Sequence, residues 1–266
     1  MDEFVGAGAF KETYHATTRE GSALALKVFD PGASDLARAA REVEAMKLCS
    51  SPYLARLLDL GTLELPNGET YVYVVEEYLS GGTLAAALAE GPLSPTRIRE
   101  VGIALTSALA ELDRHSLVHR DIKPENVMFR AENAEEPVLV DLGLVRHTSR
   151  SSLTPSFLPS GPGTPFFASP EQLNNEKALI DWRSDQFCLG VVLGMCLTGR
   201  HPFVVDRMTP GDVVDAVAAR QRCGDAFGEA AVEAGLDFIC TMLSPWPIQR
   251  FPTPDALRKA IREGEL

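Results

Sequence analysis

The dominant hydrophobic period of this chain passes from strand to helix at Ser80-Gly81-Gly82, and that change limits the architectures open to it. Before the break, short apolar runs read as strands. Tyr14 to Thr18 and Ala23 to Phe29 flank the turn Arg19-Glu20-Gly21-Ser22, and Leu54 to Leu63 and Glu69 to Tyr78 flank Pro66-Asn67-Gly68. One helical stretch interrupts them, Ser34 to Leu48, where Leu36, Ala40, Val43 and Leu48 recur near a period of about 3.6 residues and Pro52 sets the stop. After the break, helical patterning dominates. Ser94-Pro95 starts a helix to about His115, and further helices are expected at Pro170-Glu171, Ser184 to Leu197, Pro210 to Arg222, Gly228 to Leu243 and Thr253 to Glu263. A short hairpin, Val127 to Arg130 with Pro137 to Val140, precedes an irregular Ser/Thr/Pro/Gly-rich loop, Thr148 to Gly163. The class is α+β. A small antiparallel sheet lobe with one helix (residues 1–78) leads through a flexible break to a larger, mainly helical lobe (residues 79–266), and the groove between lobes is a natural ligand site.

The charge balance narrows the partners. With 25 basic against 37 acidic side chains the net charge is −12, a field that repels phosphate backbones and anionic lipid headgroups and so argues against nucleic acid or membrane as partner. The longest apolar run, Phe187 to Leu197, is about half of the ~20 residues a membrane span needs and is expected as a buried core helix. Five cysteines without a paired or metal-ligand spacing are expected as free thiols, which suits a soluble cytoplasmic protein.

Phosphoryl transfer requires neutralised phosphates, held metal ions and a hydroxyl aimed in line, and each requirement has candidates here. Gly6-Ala7-Gly8-Ala9-Phe10-Lys11 is a turn whose glycines let backbone amides approach phosphates. Ala25-Leu26-Lys27 places a lysine in an apolar strand, where its ammonium needs a partner. Much more specific is His119-Arg120-Asp121-Ile122-Lys123-Pro124-Glu125-Asn126, followed by Val140-Asp141-Leu142-Gly143 after an apolar strand. In this order the chain resembles the eukaryotic-type protein kinase superfamily over essentially its whole length. With its alanine-rich composition and the segment Gly163-Thr164-Pro165 to Ser169-Pro170-Glu171-Gln172, it looks most like the bacterial serine/threonine kinases.

The resemblance implies a bilobal protein kinase-like fold that moves the γ-phosphate of ATP to serine or threonine hydroxyls of a protein substrate. Asp121 would accept or orient the substrate hydroxyl, Lys123 would steady the transferring phosphoryl group, and Lys27 would bind phosphate, paired with Glu42. Asn126 and Asp141 would hold the metal; hard oxygens without a cysteine or histidine cage point to Mg2+ or Mn2+. Val5, Gly6, Ala7, Gly8, Ala9, Phe10, Thr13, Ala25 and Met128 would enclose the nucleotide, with backbone groups of Glu77 and Leu79 on the adenine edge. Lys11 stands where the family has a third glycine, and it either stiffens the turn or adds a phosphate contact; Thr13 replaces a valine. Glu76 falls at the back of the adenine pocket, where it would compete with Glu42 for Lys27; a register shifted by one residue would put Val75 there instead. Glu171 and Arg250 would form a buried ion pair, and Asp185 would hold the backbone of the His119 segment. Arg120 and Arg146 would clamp a phosphate that the chain places on its own loop, at Thr148, Ser149, Ser151, Ser152, Thr154 or Ser156, and Thr164 would favour a hydroxyl substrate. Two other readings stay open: a pseudokinase that binds nucleotide or acts as a scaffold, and a phosphotransferase for a small molecule, against which the Ser169-Pro170-Glu171 platform argues.

Overall fold

The structure is a computed structural model that describes residues 2–7, 11–29, 40, 43–131, 136–142, 146–147 and 164–264, with 146, 147 and 164 described by their backbone alone. Five strands, β1 (Glu3–Ala7), β2 (Lys11–Thr17), β3 (Ala23–Phe29), β4 (Leu57–Glu64) and β5 (Thr70–Glu77), form one antiparallel sheet in the order β1-β2-β3-β5-β4. Both anticipated turns are present. Gly21 (φ 90°) and Gly68 (φ 86°) take the left-handed backbone that closes each one. Helix α1, described over residues 43–48, sinks Ala45 and Met46 into the core and stops before Pro52.

Register decides which side chains meet. Opposite residues in an antiparallel pair share a face, and so do residues two apart on one strand. Thr13 lies opposite Lys27 and Lys11 opposite Phe29; on the far side of β3, Lys27 lies opposite Val74 and Ala25 opposite Glu76. Lys11, Thr13, Ala25, Lys27 and Glu76 therefore project from one face of the sheet.

Ser80-Gly81-Gly82 is not the flexible break its composition suggests. The Gly81 amide donates to the Phe129 carbonyl and the Phe129 amide to the Gly82 carbonyl, each at 2.9 Å. A Cβ on Gly81 would overlap the Ala131 carbonyl oxygen and lie 2.6 Å from Phe129 Cβ, so glycine is required there by close approach. Beyond the crossing, α2 (Leu84–Glu90) starts on the Thr83 hydroxyl, and α3 (Pro95–Arg114) starts on Ser94 with proline in its first turn, as its sequence announces. Helix α3 packs against α6 (Trp182–Thr198), which is buried nearly all round and ends at Gly199 in the left-handed conformation (φ 69°). The apolar run Phe187 to Leu197 is thus a core helix, and among the described residues no helix is long and apolar enough to cross a membrane.

Around this pair stand α4 (Thr164–Phe167), α5 (Pro170–Leu173), α7 (Pro210–Ala218), α8 (Asp225–Glu233), α9 (Phe238–Met242) and α10 (Pro254–Glu263). Two sequence boundaries are corrected. The single helix expected over Gly228 to Leu243 is broken, because Gly235 turns left-handed (φ 67°) and the Leu236 amide reaches back to the Ala231 carbonyl at 2.7 Å, sending Leu236 into the core. The buried Arg99 guanidinium fastens this corner by donating to the carbonyls of Gly235, Ile261 and Gly264. Helix α7 stops at Ala218 rather than Arg222, because Arg220 adopts φ 58° and its guanidinium binds the Pro245 carbonyl at 2.7 Å. All five thiols are free.

Candidate active site

The chain leaves β6 (Leu117–Val118), which pairs with β9 (Arg146–His147), and turns directly into His119 to Asn126. Arg120 stands at φ 72° in this turn, a conformation that costs a residue with a side chain about 1–3 kcal/mol. Asp185, buried on α6, offsets that cost: its Oδ2 accepts the His119 amide at 2.7 Å and its Oδ1 the Arg120 amide at 2.8 Å. Burial pushes the Asp185 pKa up to about 7, while the two amides pull it back down.

His119 is buried as well, and burial pushes its pKa down, so the ring is neutral. Its Nδ1 accepts the Asp121 amide at 3.3 Å, which leaves the proton on Nε2 to donate to the Val140 carbonyl at 3.3 Å. One imidazole thereby joins the loop carrying Asp121 to the strand end carrying Asp141.

A short 3₁₀ turn, Pro124–Asn126, folds the loop back on itself. Asn126 Nδ2 donates to the Asp121 carbonyl at 2.7 Å and to Asp121 Oδ2 at 3.1 Å, and Lys123 Nζ lies 2.8 Å from the same Oδ2. With its amine committed to Asp121, Asn126 has Oδ1 left as its ligand atom. The Asn126 carbonyl also accepts the Val140 amide at 2.9 Å, next to the hairpin of β7 (Val127–Phe129) and β8 (Pro137–Leu139), so Asn126 is tied to the residue preceding Asp141. Asn126 Oδ1 and the Asp141 carboxylate are hard oxygen donors of the kind that Mg2+ or Mn2+ takes, and the donor set fits such an ion.

Asp141 itself has φ 66°, and its Oδ1 lies 2.8 Å from Lys11 Nζ on β2. Burial would raise its pKa, but the Lys11 ammonium first and Lys27 second outweigh this and hold the carboxylate well below its usual range. On the sheet, Lys27 (7% exposed) is ion-paired with Glu76 (3% exposed). Glu76 shares the interior face with Lys27, so the one-residue slip that would put Val75 there does not occur. Glu77 points its side chain the other way, where it accepts the Arg56 amide at 3.0 Å and pairs with Arg130, and its backbone amide donates to the Arg56 carbonyl at 3.1 Å. Thr13 and Ala25 lie on the Lys27 face, Leu79 is buried just before the crossing, and Met128 is half-buried between the inward-facing Val127 and Phe129. Val5, Gly6 and Ala7 belong to the outer strand β1, with Val5 largely exposed.

Gly8, Ala9, Phe10, Glu42 and Gly143 lie outside the described residues, as do Thr148, Ser149, Ser151, Ser152, Thr154, Ser156 and the side chains of Arg146 and Thr164. The Glu171–Arg250 pair is present with both side chains fully buried, at 2.7 Å and 3.0 Å, and the Ser184 hydroxyl adds a bond to Glu171 at 2.7 Å. One neighbour escaped sequence reasoning. Gln172 Nε2 donates to the Arg120 carbonyl at 3.0 Å, coupling the α5 segment to the Asp121 loop; its position beside Glu171 was the available signal.

A two-part molecule with this loop at its cleft is matched by the model of the protein kinase domain over residues 1–260, and the chain belongs to the protein kinase family. Among named relatives, a probable serine/threonine-protein kinase of Streptomyces coelicolor is 36% identical over 76% of this chain and 30% of its own length. The serine/threonine-protein kinase PknB of Mycobacterium tuberculosis is 33% identical over 97% of this chain and 41% of its own length, and PknB of Mycolicibacterium smegmatis is 33% identical over 77% and 33%. The chain thus spans about a third of the length of these relatives.

Proposed function

We propose that this chain transfers the γ-phosphate of ATP to serine or threonine hydroxyls of proteins, with residues 1–78 and 79–266 as its two lobes and the cytoplasm as its place of work. The observation that carries the reading is the convergence of Lys123 and Asn126 on Asp121 Oδ2, beside a backbone link to the strand that ends in Asp141. Both donors use one oxygen, so Asp121 Oδ1 is the atom for the substrate hydroxyl. Asp121 orients that hydroxyl and takes its proton as the oxygen attacks the γ-phosphorus, and the bond from that phosphorus to the bridging oxygen breaks to release ADP. Lys123 limits the charge on Asp121 and lies where it steadies the transferring group. Lys27 binds phosphate, with Glu42 as the partner that frees it from Glu76. Asn126 Oδ1 and Asp141 hold Mg2+ or Mn2+, which neutralises phosphate charge when bound. Val5, Gly6, Ala7, Gly8, Ala9, Phe10, Thr13, Ala25 and Met128 enclose the nucleotide, and the backbone at Glu77 and Leu79 meets adenine.

Regulation by self-phosphorylation in the loop 148–163, read by Arg120 and Arg146, belongs to the same proposal. The alternative of a scaffold without turnover finds no support among the relatives, each of which is named a kinase. The test is transfer from radiolabelled ATP to a serine- and threonine-rich protein by the native chain and by Asp121→Asn, with Mg2+ and with EDTA. Metal-dependent transfer that Asp121→Asn lowers by at least a hundredfold is expected. Equal transfer by Asp121→Asn would overturn the mechanism.

A further inference from the structure

The end of α1 meets the end of α3. Cys49, whose amide donates to the Ala45 carbonyl at 3.0 Å, stands against Glu111 on α3 and against His115, one helical turn further along. The possible ligand atoms of these three side chains all lie within 4.8 Å of one another, and all three residues are partly sheltered from solvent. No sequence spacing announces the group, because Cys49 belongs to the chain leaving α1 and the other two to α3.

The arrangement suits a cation. Glu111 Oε1 and His115 Nε2 are 3.4 Å apart. Two ligands of a tetrahedral ion with bonds of about 2.0–2.1 Å stand about 3.3–3.4 Å apart. The Ser50 amide donates to Glu111 Oε1 at 2.8 Å and holds that carboxylate against the chain leaving α1. A cationic group already faces both atoms: Arg114 Nη2 lies 2.8 Å from Glu111 Oε1 and 3.2 Å from His115 Nε2. A guanidinium only donates, so the Nε2 that faces it carries a lone pair, the form that ligates a metal. Arg114 holds the place weakly. Its side chain is 65% exposed, and its bond to Glu111 is an i,i+3 pair on a helix surface, a class worth little. A thiolate, an imidazole and a carboxylate together suit Zn2+, whereas Mg2+ and Mn2+ favour oxygen ligands. Three protein ligands leave the fourth tetrahedral position to water.

We propose that Cys49, Glu111 and His115 form a Zn2+ site that fastens the end of α1 to the end of α3, and that Arg114 stands in for the ion until the ion displaces it. The Cys49 thiol gives its proton to solvent as the sulfur–zinc bond forms, and the guanidinium swings out to water. The site shares no residue with the Asp121 loop or with Asp141, and the inference does not rest on the kinase reading.

The test uses the full chain, stripped of metal, kept reduced, and held in excess Mg2+ to fill sites made of oxygen alone. Co2+, a spectroscopic substitute for Zn2+, should give the near-ultraviolet thiolate-to-cobalt band and the intense visible bands of a four-coordinate ion. The thiolate band should vanish in Cys49→Ser. By calorimetry, Cys49→Ser and His115→Gln should bind Zn2+ about a hundredfold more weakly or worse, since losing a ligand costs at least as much as losing an outer-shell partner. Arg114→Ala, which removes the competing cation, should bind Zn2+ about twofold more tightly or better. The native chain gives a check that needs no variant: Zn2+ should protect Cys49 from alkylation, read by peptide mass spectrometry. No thiolate band with the native chain, a band that survives Cys49→Ser, equal Zn2+ affinity in His115→Gln, or alkylation of Cys49 that ignores Zn2+ would each overturn the site. Unchanged affinity in Arg114→Ala would overturn the part given to Arg114.

Discussion

Replacing either partner of the Glu171–Arg250 pair should be costly, and by unequal amounts. Both side chains have no exposed surface, so neither charge is rescued by water when its partner goes. Breaking a buried pair costs about 3–5 kcal/mol, and what each survivor retains decides where in that range it falls. In Glu171→Met the Arg250 guanidinium keeps the carbonyls of Ser244 (2.9 Å), Arg183 (2.8 Å) and Pro245 (3.3 Å), together with the Phe187 ring. In Arg250→Met the Glu171 carboxylate keeps the Ser184 hydroxyl. The expected losses are about 3 kcal/mol for Glu171→Met and about 5 kcal/mol for Arg250→Met. The double variant should lose less than the sum, with a coupling of about 2–3 kcal/mol, because no unpaired charge is then left inside. Urea unfolding followed by tryptophan fluorescence reads this directly, since Trp182 opens α6 beside the pair and Trp246 lies four residues before Arg250. Additive losses, or a smaller loss for Arg250→Met than for Glu171→Met, would refute the reasoning.

Asp185→Asn keeps one acceptor and presents an amine to the other backbone amide, so Arg120 loses support for its φ of 72°. Phosphate transfer in steady-state assays should fall about tenfold or more, with a small change in KM for ATP. Burial pushes the His201 pKa down to about 4 from the 6.5 of an exposed ring, so the folded chain binds fewer protons between those values. Its contribution is present above about pH 6.5 and fades as pH falls to about 4, by roughly 2–4 kcal/mol. Denaturant midpoints measured across that window should drop on acidification, with a shallower slope in His201→Gln. Gly81→Ala forces a Cβ against the Ala131 carbonyl and should cost about 1–3 kcal/mol in the same unfolding assay.

Part of this molecule was legible locally. The change from strand to helix period, the Ser94-Pro95 helix start and the burial of Phe187 to Leu197 depend on neighbours within a few residues, so the sequence shows them without the fold. The resemblance carried by His119 to Asn126 supplied more, including the Glu171–Arg250 pair, which no local pattern contains. The break at Gly235 was missed because the apolar spacing runs straight through it. What bends the chain there is a left-handed glycine and an arginine from α3 far away in sequence. The crossing at Gly81 read as flexible because glycine marks both loose chain and close packing, and only the backbone beside it tells which.

By itself, then, the sequence determined the two-part architecture, the family and the identity of the candidate residues. Tertiary structure decided which charges stand together. Lys27 meets Glu76 because the β3–β5 register puts both on one face, and Lys11 meets Asp141 because the sheet closes over the strand end. Electrostatic pairing of this kind depends on distances of a few ångströms between segments far apart in the chain. Local spacing sets the face on which a charge emerges, and only the folded chain sets what it finds there.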